Sequence, residues 1–212
     1  METVQLTPIE DYLSGPTMAV FDFGKTNAKM LVFNENGATV AGCRTAPRWI
    51  EVNGRRVMDD HYLWTWMQAA LRGAAVSYNT DRVMVSAHGC TFAAVEGDHL
   101  ALPILDYEAP IPADIRQAFL KVKPDFAETG APDLPNGFSY GIQVYWMALA
   151  EPEAFGAATA ILPYAQFWIW RLTGKAVSEV SYLGCHSHLW APYSQDFSSL
   201  VDTMNWRQKC HR

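Results

Sequence analysis

The reading turns on Met18-Ala19-Val20-Phe21-Asp22-Phe23-Gly24-Lys25-Thr26-Asn27-Ala28-Lys29-Met30-Leu31-Val32-Phe33. Residues 18–21 form a short apolar run and predict a buried strand. Residues 22–27 are polar and turn-rich, and residues 28–34 predict a second strand. Asn34-Glu35-Asn36-Gly37 has hairpin composition, because Asn-Gly readily takes positive φ, so a third strand is expected over 38–44. Three antiparallel strands in succession therefore open the domain, behind a loose lead-in at residues 1–17 that ends at Gly15-Pro16.

Working outward, residues 62–78 have helical spacing, with Leu63, Trp66, Met67, Ala70, Leu71 and Ala74 on one face and Asp60 as the expected cap. Strands are expected at 82–86 and 92–95, the latter turning at Glu96-Gly97-Asp98. The order β-β-β-α-β gives an α/β architecture, a mixed sheet flanked by helices. Residues 103–138 are proline-rich and read as loop with one helix at 113–122. Further helices are expected at 139–150, at 163–172 with a stop at Thr173-Gly174, and at 196–205. Of Trp168 and Trp170, two apart on a helix, one is expected to face the core and the other an interface.

Composition excludes several classes. The chain has 212 residues, 50% apolar and 18% charged, with a net charge of −6. An acidic chain lacks the basic stripe of a non-specific nucleic-acid binder. No run of 18 apolar residues is available to span a membrane. The start carries Glu2, Glu10 and Asp11 rather than the positive end of a secretory signal, so a cytoplasmic location is expected. Cys43, Cys90, Cys185 and Cys210 show no CxxC spacing and are expected as free thiols. Low charge with eight Trp predicts apolar surface for a partner domain or a homo-oligomer.

The chemistry concentrates in residues 21–29. Gly24 lets backbone approach a bulky anion. Thr26 and Asn27 add donors beside backbone N–H groups, and Lys25 and Lys29 add positive charge. Asp22, at a strand end, suits Mg²⁺ held through water. Gly24-Lys25-Thr26 is not a Walker loop, which needs Gly where Ala19 stands and opens a helix rather than a strand. A plain hairpin with surface charges is the competing reading. Cys185-His186-Ser187-His188 offers too few ligands for zinc, and its polar side chains are expected to satisfy buried hydrogen bonds.

The strand–Asp-x-Gly-x-Thr-Asn–strand pattern followed by Asn-Gly resembles the first phosphate motif of the actin/hexokinase/heat-shock ATPase superfamily. More closely, it resembles the FGGY carbohydrate kinases, with a lean toward the fuculokinase and rhamnulokinase branch. Val85-Ser86-Ala87-His88-Gly89 is similar to that family's sugar-contacting loop. Residues 102–107 resemble the segment that re-enters the sugar site, and residues 161–174 the helix ending in Leu-Thr-Gly. The similarity covers nearly all of 18–206. It implies an RNase H-like fold and the cofactors ATP and Mg²⁺.

The resemblance also implies roles. Asp22 would organise Mg²⁺ and its waters. Gly24, Thr26 and Asn27 would hold the β- and γ-phosphates, joined by Lys25, whose size departs from the small residue usual there. Lys29 would reach the γ-phosphate. His88, Gly89, Asp106 and Tyr107 would line the cleft for a small sugar. The general-base Asp and the adenosine pocket belong to the family's C-terminal domain, which is expected to be missing here, leaving no catalytic residue in this chain. Residues 207–212 read as an atypical tail, as after a premature stop or frameshift. The expected parent reaction is transfer of the ATP γ-phosphoryl group to a hydroxyl of a small sugar, a ketose. The alternatives are a non-catalytic sugar-binding or interaction domain that keeps the fold, and an actin-like ATPase without a sugar substrate.

Overall fold

The computed structural model describes residues 4–210, which form two compact units. The first holds the described residues up to Ile50 together with Met58–His88. The second holds Glu51–Val57 and the described residues from Gly89 onward.

The elements of the first stretch of chain are β1 (Thr7–Pro8), β2 (Thr17–Phe23), β3 (Ala28–Phe33), β4 (Thr39–Thr45), β5 (Trp49–Val52), β6 (Arg55–Met58), α1 (Asp60–Tyr78) and β7 (Thr80–Ala87). One five-stranded sheet runs β1-β4-β3-β2-β7. The pairs β2–β3, β3–β4 and β1–β4 are antiparallel, whereas β2–β7 is parallel. The three opening strands are thus where the sequence places them. Residues 7–8, read as loose lead-in, instead extend the sheet by pairing with Gly42 and Ala41.

A parallel pair needs a long crossover, and α1 supplies it. Its N-cap is Asp59, one residue before the expected Asp60, with the carboxylate accepting from Tyr62 N at 3.0 Å. Its end is marked by Asn79 at φ 49°. Thr17 ties the junction together: its hydroxyl donates to Tyr78 O at 2.7 Å and its N–H to Asn79 O. Leu63, Trp66, Met67, Ala70 and Ala74 of α1 are buried, as are Ala19, Phe21, Phe23, Ala28, Met30 and Val32 of the sheet. The Trp66 ring meets the Phe21 and Phe23 rings edge-on. On the other sheet face Met18, Val20, Leu31 and Phe33 are only half-buried, and Met84 is exposed.

The second unit contains β8 (Phe92–Glu96), β9 (His99–Leu100), α2 (Ala113–Phe119), α3 (Phe126–Thr129), α4 (Tyr140–Ala150), α5 (Pro152–Ala157), β10 (Ala160–Pro163), α6 (Tyr164–Thr173), α7 (Val180–Leu183), β11 (Trp190–Ala191), β12 (Asp196–Phe197) and α8 (Ser199–Thr203). A three-stranded antiparallel sheet runs β10-β8-β9. Gly174 closes α6 in the left-handed region at φ 72°, donating to Trp170 O, as its sequence predicts.

Trp168 and Trp170 are both buried, contrary to the expected split. The Phe167 ring stacks on Trp170 at 5.9 Å and meets Trp168 edge-on at 4.9 Å, and β8 and β10 pack against the helix that carries all three. Trp66, Trp190 and Trp206 are buried too, so most of the indoles serve as core rather than as spare surface. The helix expected over 196–205 starts later: Asp196–Phe197 pairs with β11, and α8 begins at Ser199. The Ser198 hydroxyl is spent on His188 O at 2.6 Å, and Glu128 takes the capping role by accepting from Ser199 N.

Residues 207–210, read as an atypical tail, pack into this unit. Arg207 pairs with Asp196 and Asp202 at 2.9 and 2.8 Å, and Lys209 donates to Gly156 O and Ala158 O. Cys210 is buried.

Two glycines in helices separate packing from backbone entropy. At Gly141 a Cβ would stand 2.0 Å from Ser187 O, so α4 approaches the 186–188 segment only because no side chain intervenes. At Gly156 nothing lies within 4 Å. We therefore expect Gly141→Ala to cost about 3 kcal/mol or more, as overpacking does. Gly156→Ala should gain about 0.5–1 kcal/mol by restricting the unfolded chain. Urea denaturation of the two variants checks both signs.

His188 is buried against the Phe119 ring, and neither ring nitrogen has a hydrogen-bond partner. The role expected of the polar side chains at 185–188, satisfying buried hydrogen bonds, falls to Ser187, whose hydroxyl donates to Leu183 O and accepts from Leu189 N, and not to His188. Burial, reinforced by the Lys123 cation and opposed by Asp133, pulls its pKa down to about 4. Below its ordinary value of 6.5 the unfolded chain takes up a proton that the folded chain refuses. Stability should fall as pH drops from about 6.5 toward 4, and level off below. Unfolding free energies across that range, compared with His188→Leu, should show this component of the slope vanish in the variant.

Candidate functional site

The β2–β3 hairpin closes over residues 24–27 through Gly24 N donating to Asn27 O at 3.0 Å. A Cβ on Gly24 would stand 2.8 Å from that same oxygen, so the tight turn requires glycine. Thr26 and Asn27 are exposed at its tip, and Asn27 Nδ2 donates to Thr26 Oγ1 at 3.3 Å. The Lys25 ammonium lies 5.5 Å from the centre of the Trp49 ring. That contact gives Lys25 a cation–π neighbour, which explains how a long side chain fits where a small one was expected.

Strand register puts chemistry in one row. Asp22 is the partner of Lys29 in β3 and of Ser86 in β7, and Lys29 is the partner of Arg44 in β4. Ser86, Asp22, Lys29 and Arg44 thus cross four strands at one level, all exposed, on the face opposite α1. Lys29 Nζ lies 3.6 Å from Asp22 Oδ2, with each side chain about half exposed (50% and 52%). A pair this exposed contributes about 0–1 kcal/mol, so it can be opened cheaply. Like charges directly opposite each other, as at Lys29 and Arg44, are mildly destabilising and favour an anion between them. The sequence singles out Asp22 and Lys29, but the parts of Ser86 and Arg44 emerge only from register.

His88 follows β7, its N–H donating to Phe23 O at 3.0 Å, and is half-buried. The loop at Gly89 belongs to the second unit. There Gln143 Nε2 donates to Cys90 O at 2.7 Å and to Gly137 O, holding the loop against α4. Gln143 is a buried amide amid an apolar helix, a polar residue that the sequence carries without a charge to mark it. Burial pushes the Cys90 thiol up to about 11, so it stays protonated at neutral pH and is no nucleophile. All four cysteines are free thiols.

Asp106 and Tyr107 also lie in the second unit, on a turn bound to the β5–β6 hairpin. Asp106 N donates to Arg56 O at 3.0 Å, and Val57 bridges to Leu105. The Asp106 carboxylate is 2% exposed; it accepts from Glu108 N at 2.9 Å and faces Arg56 Nε at 3.4 Å. The Tyr107 ring packs edge-on against Phe138 at 5.1 Å. Arg56 is a residue that sequence reading misses, because only the fold brings the hairpin to the turn.

Among the described residues no cluster of His, Cys, Asp and Glu forms a metal centre, and no helix is long and apolar enough to cross a membrane. Asp22 is the one charged oxygen donor at the phosphate-type turn, which fits a cation that keeps most of its waters.

No protein-family model and no curated protein matches the chain. Solved structures do. A carbohydrate kinase from Novosphingobium aromaticivorans superposes with a TM-score of 0.88 at 34% identity, over 94% of this chain and 42% of that one. A ligand-bound xylulose kinase from Lactobacillus acidophilus gives 0.79 at 16% identity, over 93% and 41%. Glycerol kinase from Plasmodium falciparum, with ADP, gives 0.71 at 13% identity, over 90% and 41%. The last two likenesses show the fold, an α/β arrangement of the actin/hexokinase type. The chain spans about two fifths of the length of these kinases. It belongs to the FGGY family of carbohydrate kinases and corresponds to that family's N-terminal domain.

Proposed function

We propose that the chain supplies the phosphate turn and part of the sugar site of a kinase that moves the ATP γ-phosphoryl group to a hydroxyl of a small sugar, a ketose. The observation that carries the proposal is the row of Asp22, Lys29 and Arg44 beside the Gly24–Asn27 turn, in a chain 34% identical to a solved carbohydrate kinase. The remaining length of such a kinase would bring the general base and the adenosine pocket.

Phosphoryl transfer asks the protein for positioning and charge rather than covalent chemistry. When bound, Mg²⁺ neutralises phosphate charge, and Asp22 would hold it through water. The N–H and hydroxyl of Thr26 and the amide of Asn27, exposed at the turn, would donate to phosphate oxygens. Lys29, released from Asp22, and Arg44 would stabilise the charge spread over the equatorial oxygens. Lys25 is held beside Trp49 and contributes field at the turn. On the sugar side, His88 and Gly89 offer a ring and an open backbone. Asp106, with its carboxylate committed to Glu108 N and Arg56, holds the turn from which Tyr107 projects.

The 212-residue chain assayed alone should turn over well below about 1 s⁻¹, the low end of typical enzymes. A missing positioned base alone costs about 10²–10⁴-fold. A coupled assay reading faster turnover defeats the division of labour proposed here.

In a kinase of full family length carrying this sequence, Asp22→Asn should lower kcat by at least about 10²-fold, the loss typical of one transition-state contact. The sugar KM should stay near that of the parent. Unchanged kcat would return Asp22 to the status of a hairpin surface residue.

A further inference from the structure

Strand β7 ends one side of the five-stranded sheet: it pairs with β2, and no strand lies beyond it among the described residues. An edge strand offers its outer N–H and C=O groups to another chain. This one is eight residues long, and Asp81, Arg82, Val83, Met84 and Ser86 on it are exposed. We infer that β7 is an interface between two copies of this chain, paired antiparallel about a two-fold axis at Met84.

Symmetry and charge fix the register. Directly opposed side chains of an antiparallel pair share a face, so a two-fold axis normal to the sheet sets one residue against its own counterpart. An axis at Asp81 or Arg82 would set like charges against each other, which is destabilising. An axis at Val83 would press Arg82 against Met84. An axis at Met84 opposes Arg82 to Ser86, Asp81 to Ala87 and Val83 to Val85, with no like charges facing.

The rows of the sheet then run on from one copy into the other. Leu31, Val20 and Met84 lie at one level, so the central row joins three apolar side chains from each copy. Met84 is 54% exposed and Val83 37%, apolar surface that the pairing covers. At the next level Phe33, Met18 and Arg82 meet Ser86, Asp22 and Lys29 of the second copy. Arg82 and that Asp22 stand two strand spacings apart, about 10 Å, with the small Ser86 between them, a gap that a guanidinium on its long stem can span. The axis makes this ion pair twice. Within one copy Arg82 pairs with its neighbour Asp81 at 3.1 Å, both more than half exposed, and such a pair opens easily. The interface lies wholly within the first unit and rests on strand register, not on phosphoryl transfer. A strand-on-strand contact falls at the low end of specific interfaces, below about 1,200 Å², so a Kd in the micromolar range is expected.

The test is sedimentation equilibrium of the 212-residue chain from about 1 μM to about 1 mM, a span that brackets such a Kd. We expect monomer passing to dimer and to nothing larger. Met84→Lys sets two ammonium groups together at the axis, and Arg82→Glu sets a carboxylate beside Asp22 of the second copy. Each should weaken the dimer at least about tenfold, as like-charge juxtaposition does. Thermal melts separate a folding defect from an association defect, and either folded variant decides the matter. Met84→Cys should also cross-link between copies under copper phenanthroline. Arg82→Cys, about 13 Å from its counterpart across the axis, should cross-link no more than the parent chain, whose cysteines are free thiols. A monomer at every concentration, assembly beyond a dimer, a dimer that the folded variants leave unchanged, or equal cross-linking at 82 and 84 would overturn the inference. The Asp22→Asn experiment reads turnover and is untouched by any of these outcomes.

Discussion

Strand β2 is hydrogen-bonded along both edges, antiparallel to β3 and parallel to β7, and the first unit follows from that double pairing. The parallel side demands a crossover, and α1 provides one whose apolar face must be buried. It covers the side chains of Phe21, Phe23 and Met30, which sends Asp22 and Lys29 to the opposite face. Alternation along the strand is strict, so a slip of one residue would bury Asp22 and expose Phe21. The chemistry of the row is thus set by the packing beneath it. Gly24 completes the arrangement by letting the turn close at the level of the row rather than beyond it.

The second unit relies on a different device. Its loops are fixed by buried polar groups that each serve two masters. Gln143 holds the loop at Cys90 and the backbone at Gly137, and Asp106 holds its own turn and Arg56. Losing one partner of such a pair strands the other in low dielectric, so these positions are far less tolerant than the exposed ion pairs of the hairpin. Substitutions at Gln143 would loosen the Gly89 loop without touching anything bound there.

The periodic parts of the fold were legible from the chain. The strands of the opening meander, the α1 face and the Gly174 stop follow from short-range patterns that tertiary structure had no reason to override. The β2–β3 turn was legible for the same reason, since the residues from Asp22 to Asn27 are contiguous. What escaped is long-range. Arg44 joins Lys29 only through register, Arg56 meets Asp106 only once the hairpin folds back, and Thr7–Pro8 is too short to show a pattern. Both indoles of α6 are buried although they lie two apart on the helix, so period alone does not say where solvent begins.

The hairpin at residues 49–58 gives the two units different timetables during synthesis. All of the first unit's described strands and its helix are made by residue 88, so its sheet can close as soon as that point clears the ribosome. The hairpin tip is made earlier but belongs to the second unit, and its partners Leu105 and Asp106 emerge much later. Until then Arg56 and Val57 wait, tethered on both sides to chain that is free to order itself first. Domains tend to fold as units in order of emergence, and here the earliest-made segment of the second unit is completed only when its later-made partners appear.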